Sequence, residues 1–176
     1  MRSRDTPTAR PPHWLLSTDC LSVDSLAPMY SVFLTTHSIV RWLVIIAGIV
    51  AAIRAWRASS STVAASVSAE GLVFTVLFDI QLLLGLLLYL VFSPITTAAV
   101  HHLGGAMSNA VVRFWAVEHP FGMIVALALA HVGRARSRRA QTPPQQRRAA
   151  TFFSLAILVV IVTTPWPFLP YGRPLI

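Results

Sequence analysis

Four long apolar runs divide the chain, at about residues 30–56, 71–92, 109–133 and 149–164. A helix rises 1.5 Å per residue, so about 20 apolar residues cross a hydrocarbon core of about 30 Å. Each run therefore predicts a transmembrane helix, because lipid offers no partner to an open strand edge. Ser93-Pro94 stops the second run and Pro165-Trp166-Pro167 the fourth. The fourth is the shortest, with room to begin inside the polar stretch before it. That stretch, Arg134 to Arg148 with Pro143-Pro144-Gln145-Gln146 at its centre, reads as a solvated linker. The pattern as a whole predicts an all-α integral membrane protein, four transmembrane helices in an up-down bundle, occupying residues 29–170. Before it, residues 1–28 hold Pro7, Pro11, Pro12 and Pro28 among mixed charges, and disorder is expected there. Trp14-Leu15-Leu16 is too short for the core of a signal peptide. Met29-Tyr30-Ser31 leads directly into the first run, which marks Met29 as a candidate true start. Residues 171–176 form a C-terminal tail.

Composition agrees with this pattern. Of the 176 residues, 55% are hydrophobic and 11% charged, with mean hydropathy +0.66; soluble domains carry roughly 25% charged residues. The net charge of +8 comes from arginines alone. They cluster at the ends of the apolar runs, so topology explains them better than nucleic acid does. Arg54 and Arg57 follow the first run, and Arg134, Arg136, Arg138, Arg139, Arg147 and Arg148 separate the third from the fourth. The positive-inside rule makes these two loops cytoplasmic and puts both chain ends outside. Anionic lipid contact is a lesser reading of the same arginines. Gly104-Gly105 does not lead into a helix in a phosphate-cradling pattern. The single cysteine, Cys20, excludes an intrachain disulfide and any cysteine-based metal cluster.

A few polar residues interrupt the apolar runs, and an ionisable group inside a membrane segment costs roughly 2.5–3.5 kcal/mol on insertion scales. His37 and Arg41 stand four apart on one helix face, about 10 and 16 Å below the outer end of the first run. Asp79 lies near mid-membrane, about 13 Å from the inner end of the second. Glu118 and His119 lie about 14 Å below the outer end of the third, if that helix begins near Asn109. Two physical accounts fit. In one, Arg41 pairs with an intramembrane carboxylate, Asp79 by depth or else Glu118, and Asp79, Glu118 and Gln81 belong to a structural polar cluster in which the histidines only hydrogen-bond. In the other, His37 and His119, on helices diagonal in the bundle, are the axial ligands of a b-type haem, with Arg41 beside a propionate. Pro120 kinks the helix next to His119 in either account, and Gly85 permits close approach by a helix or a flat macrocycle. His101 and His102 give two adjacent ligands without a third, a poor metal site. His131 has no histidine opposite it and reads as interfacial. Trp42, Trp56, Trp115 and Trp166 mostly fit an aromatic belt.

These residues resemble a family of small four-helix bacterial membrane proteins often labelled "cytochrome B". The resemblance rests on His37-Ser38-Ile39-Val40-Arg41-Trp42, Gln81-Leu82-Leu83-Leu84-Gly85, Arg113-Phe114-Trp115-Ala116-Val117-Glu118-His119 and Pro165-Trp166-Pro167, and covers about Met29 to Pro167. It implies a cytochrome b-like bundle in a bacterial inner membrane, with His37, Arg41, Glu118 and His119 at matching positions. One departure matters. A histidine often stands two residues before the glutamine of the second segment in that family, and here the residue is Asp79. His131 lies outside the family pattern.

The leading expectation is one-electron transfer through haem b held by His37 and His119. Its partner is expected to be a quinone or a larger membrane redox complex. A second is a non-redox accessory or scaffold subunit whose polar cluster is structural. A third is a small proton-linked transporter using Asp79 and Glu118, disfavoured because four helices leave little room for alternating access without dimerisation. No nucleophile or metal-hydrolase motif stands out, so independent catalysis is not expected. The lipid bilayer is the one partner every reading requires, and a homodimer is compatible with all of them.

Overall fold

A computed structural model describes residues 19–60 and 68–173, and the description that follows concerns these. Among them there is no strand, and the elements are α1 (Asp19–Ser59), α2 (Ser68–Leu87), α3 (Pro94–His101), α4 (Leu103–Ser108), α5 (Ala110–Arg113), α6 (His119–Arg139) and α7 (Pro143–Thr163). A π-helical turn, Leu88–Phe92, extends α2, and a second, Phe114–Glu118, joins α5 to α6. Four stretches are long and apolar enough to span a membrane: Pro28–Ser59, Ala69–Phe92, Ala110–Arg139 and Pro143–Thr163. Helix α1 packs on α2 and α7, and α6 packs on the same two, so α1 and α6 are diagonal in the bundle. The protein is an all-α, four-helix integral membrane protein.

Two boundaries differ from expectation. Helix α1 begins at Asp19, within the stretch expected to be disordered, and contains Pro28; the remaining readings of the tail fall outside the described residues. The supposed linker between the third and fourth spans is mostly helix, because α6 runs on to Arg139 and α7 begins at Pro143. Pro143 and Pro144, taken as part of that linker, occupy the first turn of α7. There the missing N–H groups have no helical acceptor to lose. Gln146 Nε2 then donates to Ser137 Oγ at 3.0 Å, a buried bond that fastens α7 to α6.

The core lies toward the arginine-rich end. Phe74, Phe78 and Phe153 are fully buried among Ala51, Ala55, Ala126, Ala130, Ala150 and Ala156. Lipid is as apolar as the core, so packing rather than water exclusion drives association, and small residues let backbones approach. The outer faces carry the large exposed apolar side chains, Val32, Leu83, Leu90, Phe121 and Val162 among them, as a lipid-facing surface requires.

At the other end the geometry is set by prolines. Both π-helical turns stop one residue short of a prolyl partner: Ser93 N–H bonds Leu88 O before Pro94, and His119 N–H bonds Phe114 O before Pro120. Each is one turn of i to i−5 bonding. Pro120 has no N–H to give the Ala116 carbonyl four residues back. The Tyr89 hydroxyl, on the π-helical turn that extends α2, donates to that carbonyl instead, at 2.8 Å, and Thr96 Oγ1 donates to the Tyr89 carbonyl at 2.8 Å. An unpaired carbonyl in this setting costs about 1–3 kcal/mol. Tyr89→Phe should therefore lower stability by about that amount. Adding Pro120→Ala, which restores a backbone donor, should recover most of the loss. Thermal unfolding in detergent followed by circular dichroism measures both, and simple additivity would contradict this account.

Candidate functional site

A cavity of about 120 Å³ lies between the diagonal helices α1 and α6, closed on the sides by α2 and α7. Its polar lining includes His37, Arg41, Gln81, Tyr89, His119 and Arg173, set in a mostly apolar wall. No carboxylate is among the lining residues.

His119 is held by the end of α7. Thr163 is the last residue of that helix, where carbonyls have no helical donor, and the residue four beyond it is Pro167. The imidazole Nδ1–H donates to this carbonyl at 2.8 Å. That bond assigns the tautomer and leaves Nε2 as the nitrogen with a lone pair. Gly122, one turn below His119, makes the approach feasible, because a Cβ there would collide with the Thr163 side chain. The Ile161 carbonyl, deprived of a donor by Pro165, takes the Trp166 indole N–H at 2.8 Å.

His37 is held by α2. The Gln81 amide donates to the His37 carbonyl at 3.0 Å and meets His37 Nε2 at 3.1 Å, which uses both of its hydrogens. The imidazole lies against Gly85, where a Cβ would come within 3.2 Å of Cε1. His37 Nδ1 and Gln81 Oε1 are buried without a hydrogen-bond partner among the described residues. A buried donor and a buried acceptor left open beside one cavity are the kind of exception that an unseen water or ligand accounts for.

The mouth of the cavity is built by the C-terminal segment. Tyr171 stacks on Phe114 with ring centroids 3.7 Å apart. The Arg173 guanidinium lies 4.7 Å from the Trp115 ring centroid and donates to the Tyr30 hydroxyl at 2.8 Å. The tail is thus folded back over the bundle.

His37, His119, Arg41 and Gln81 therefore share one cavity. The two acids of the expected polar cluster do not join them. Asp79 accepts from His131 Nε2 at 2.9 Å on the outer side of α2 and α6, so the anticipated Arg41–Asp79 pairing gives way to an Asp79–His131 pair, and His131 acquires a partner. Glu118 pairs with Arg113 at 2.8 Å, on the exposed side of the π-helical turn. The physical reason is angular. Asp79 and Gln81, two residues apart on one helix, face different directions. His101 and His102 are exposed and away from the cavity, and among the described residues no group of three or more His, Cys, Asp or Glu side chains could hold a metal ion.

Tyr89, Thr163 and Arg173 were given no role from the sequence, and Tyr30 and Trp115 none at this cavity. A signal for one of them, and for the carbonyl that Tyr89 serves, was present. A proline in or after a helix frees the carbonyl four residues earlier, and counting back from Pro120 and Pro167 gives Ala116 and Thr163. No protein-family model, curated protein or solved structure matches the chain.

Gly122→Ala tests the His119 mount. The added methyl must displace Thr163, and overpacking of this kind costs about 1–3 kcal/mol. The Nδ1–H proton of His119 should lose its hydrogen-bonded character in the NMR spectrum of the folded variant. Thr163→Ala in the same chain should restore part of both.

Proposed function

We propose that the protein is a small cytochrome b-like membrane protein, transferring single electrons through a b-type haem whose iron would be held by His119 and His37. The observation that supports this most is the state of His119. Its Nδ1–H is committed to a backbone carbonyl, its Nε2 is the basic nitrogen, and it lines the same cavity as a histidine from the diagonal helix. Metal-binding histidines characteristically carry this second hydrogen bond, which fixes the ring and raises its basicity. The resemblance of the motifs to the bacterial "cytochrome B" family points the same way.

The residues fit the group unevenly. His119 is arranged as a ligand. His37 reaches iron through Nε2 only by exchanging its contact with Gln81. The cavity is close in size to one that accepts benzene, so a porphyrin would have to widen the space between helices. Haem, when bound, supplies reversible one-electron exchange at its iron. The chain's own contribution is position and charge. Thr163 would orient His119, Gly85 would leave a flat face open beside His37, and Arg41 with Arg173 would balance the carboxylates of a macrocycle. A quinone or a larger membrane redox complex would be the electron partner. The Arg-rich end would face the cytoplasm, with both chain ends outside a bacterial inner membrane.

One observation favours a second reading. Gln81 already hydrogen-bonds His37, so the cavity's polar groups partly satisfy one another without a cofactor, as a structural scaffold or accessory subunit would need. A transporter using Asp79 and Glu118 has less support, since neither lines the cavity.

A reduced-minus-oxidised visible spectrum of the purified protein in detergent, with a haem extraction assay, separates the two. The expected result is a pair of sharp b-type bands that disappear in His119→Ala and His37→Ala while helicity is kept. A folded preparation from haem-replete cells with no haem would reject the cytochrome reading and leave the scaffold.

A further inference from the structure

The Asp79–His131 pair lies on the outside of the bundle, where the lipid should be. Its two side chains are 46% and 45% exposed. Asp79 is roughly 13 Å along the helix from Glu70, whose salt bridge with Arg54 marks the arginine-rich end of the bundle. The surrounding face is apolar: Val76, Ile80 and Leu83 on α2, Ile124 and Val132 on α6. Hydrocarbon offers such polar groups no partner, and ionisable groups in membrane segments normally face protein or water. Something other than lipid therefore covers this face.

We infer that α2 and α6 form the interface of a two-fold homodimer in which the Asp79–His131 pairs of two copies bond to each other. The pair is self-complementary. Beside the bond between them, the pair keeps a second ring nitrogen, placed to donate, and a second carboxyl oxygen, placed to accept. Within one copy, His131 Nε2 bonds Asp79 Oδ1 at 2.9 Å. His131 Nδ1 and Asp79 Oδ2 make no hydrogen bond among the described residues. A two-fold axis beside the pair lets each remaining ring nitrogen meet the other copy's remaining carboxyl oxygen, closing a ring of four hydrogen-bonded side chains. This is the isologous contact that two-fold symmetry demands, one patch serving both sides. Ala128, exposed on α6 one turn from His131, keeps that part of the face low enough for close approach. The inference is independent of what the cavity holds.

The test uses the whole protein in liposomes, with subunits counted by single-molecule photobleaching across a range of protein-to-lipid ratios. Wild type should be dimeric, and Asp79→Leu/His131→Leu should dissociate at densities roughly tenfold higher or more. The swapped chain, Asp79→His/His131→Asp, should dimerise because the pair stays self-complementary. The swap decides the question if the leucine variant does not fold. In a Cys20→Ser background, Ala128→Cys should cross-link between copies, while Val162→Cys, on the far face of α7, should not. Monomers at every density would overturn the proposal. So would dimers indifferent to the leucine substitutions, or cross-linking of Ala128→Cys to a different protein in native membranes.

Discussion

In hydrocarbon every backbone carbonyl needs a donor, and this protein places prolines where four of those donors should be. Pro94, Pro120, Pro165 and Pro167 each lack the N–H that a helix would supply. The side chains that compensate are drawn from other elements or from further along the chain. Tyr89 serves Ala116, Trp166 serves Ile161 and His119 serves Thr163, while Thr96 serves Tyr89, the residue five before Pro94 in the π-helical register that Ser93 sets. Satisfying these carbonyls ties α2 to α6 and α6 to the end of α7. The same bonds orient the side chains around the cavity. The candidate site is thus a by-product of backbone accounting at the proline-rich end of the bundle.

The two ends of the bundle divide the labour. At the arginine-rich end alanines and phenylalanines interlock, and the packing is dense. At the opposite end larger polar side chains and the folded-back tail hold the helices apart enough to leave a cavity. Gly122 and Gly85 sit at the boundary, each allowing a contact to a neighbour's side chain that a methyl group would obstruct. A protein whose helices associate by packing alone leaves empty space only where other bonds maintain it. Here those bonds involve the two histidines, which is why the cavity is the natural place to look for function.

The intramembrane charges show how much angle matters. His37 and Arg41 are one turn apart and share the cavity, whereas Asp79 and Gln81 on one helix are separated by two residues and serve different faces. Glu118 and His119 are adjacent and separate completely, one to Arg113 on the exposed side, the other to Thr163 inside. Each helix therefore presents one chemistry to the cavity and another to the exterior.

The amino-acid sequence by itself determined the class of the fold, the number of spanning helices and the identity of His37, His119, Arg41 and Gln81 as unusual residues. Hydropathy and length decide these, because a bilayer admits few alternatives. It did not determine where α7 begins, because prolines and arginines suit a solvated linker as well as the first turns of a helix. Nor did it determine that Asp79 meets His131, or that Arg173 returns to Tyr30 and Trp115. Those depend on helix rotation and on the path of the tail, which are set by many packing contacts together and leave no periodic mark in the chain. Tertiary structure alone brought a tyrosine, a threonine and a histidine to the carbonyls that prolines had left open.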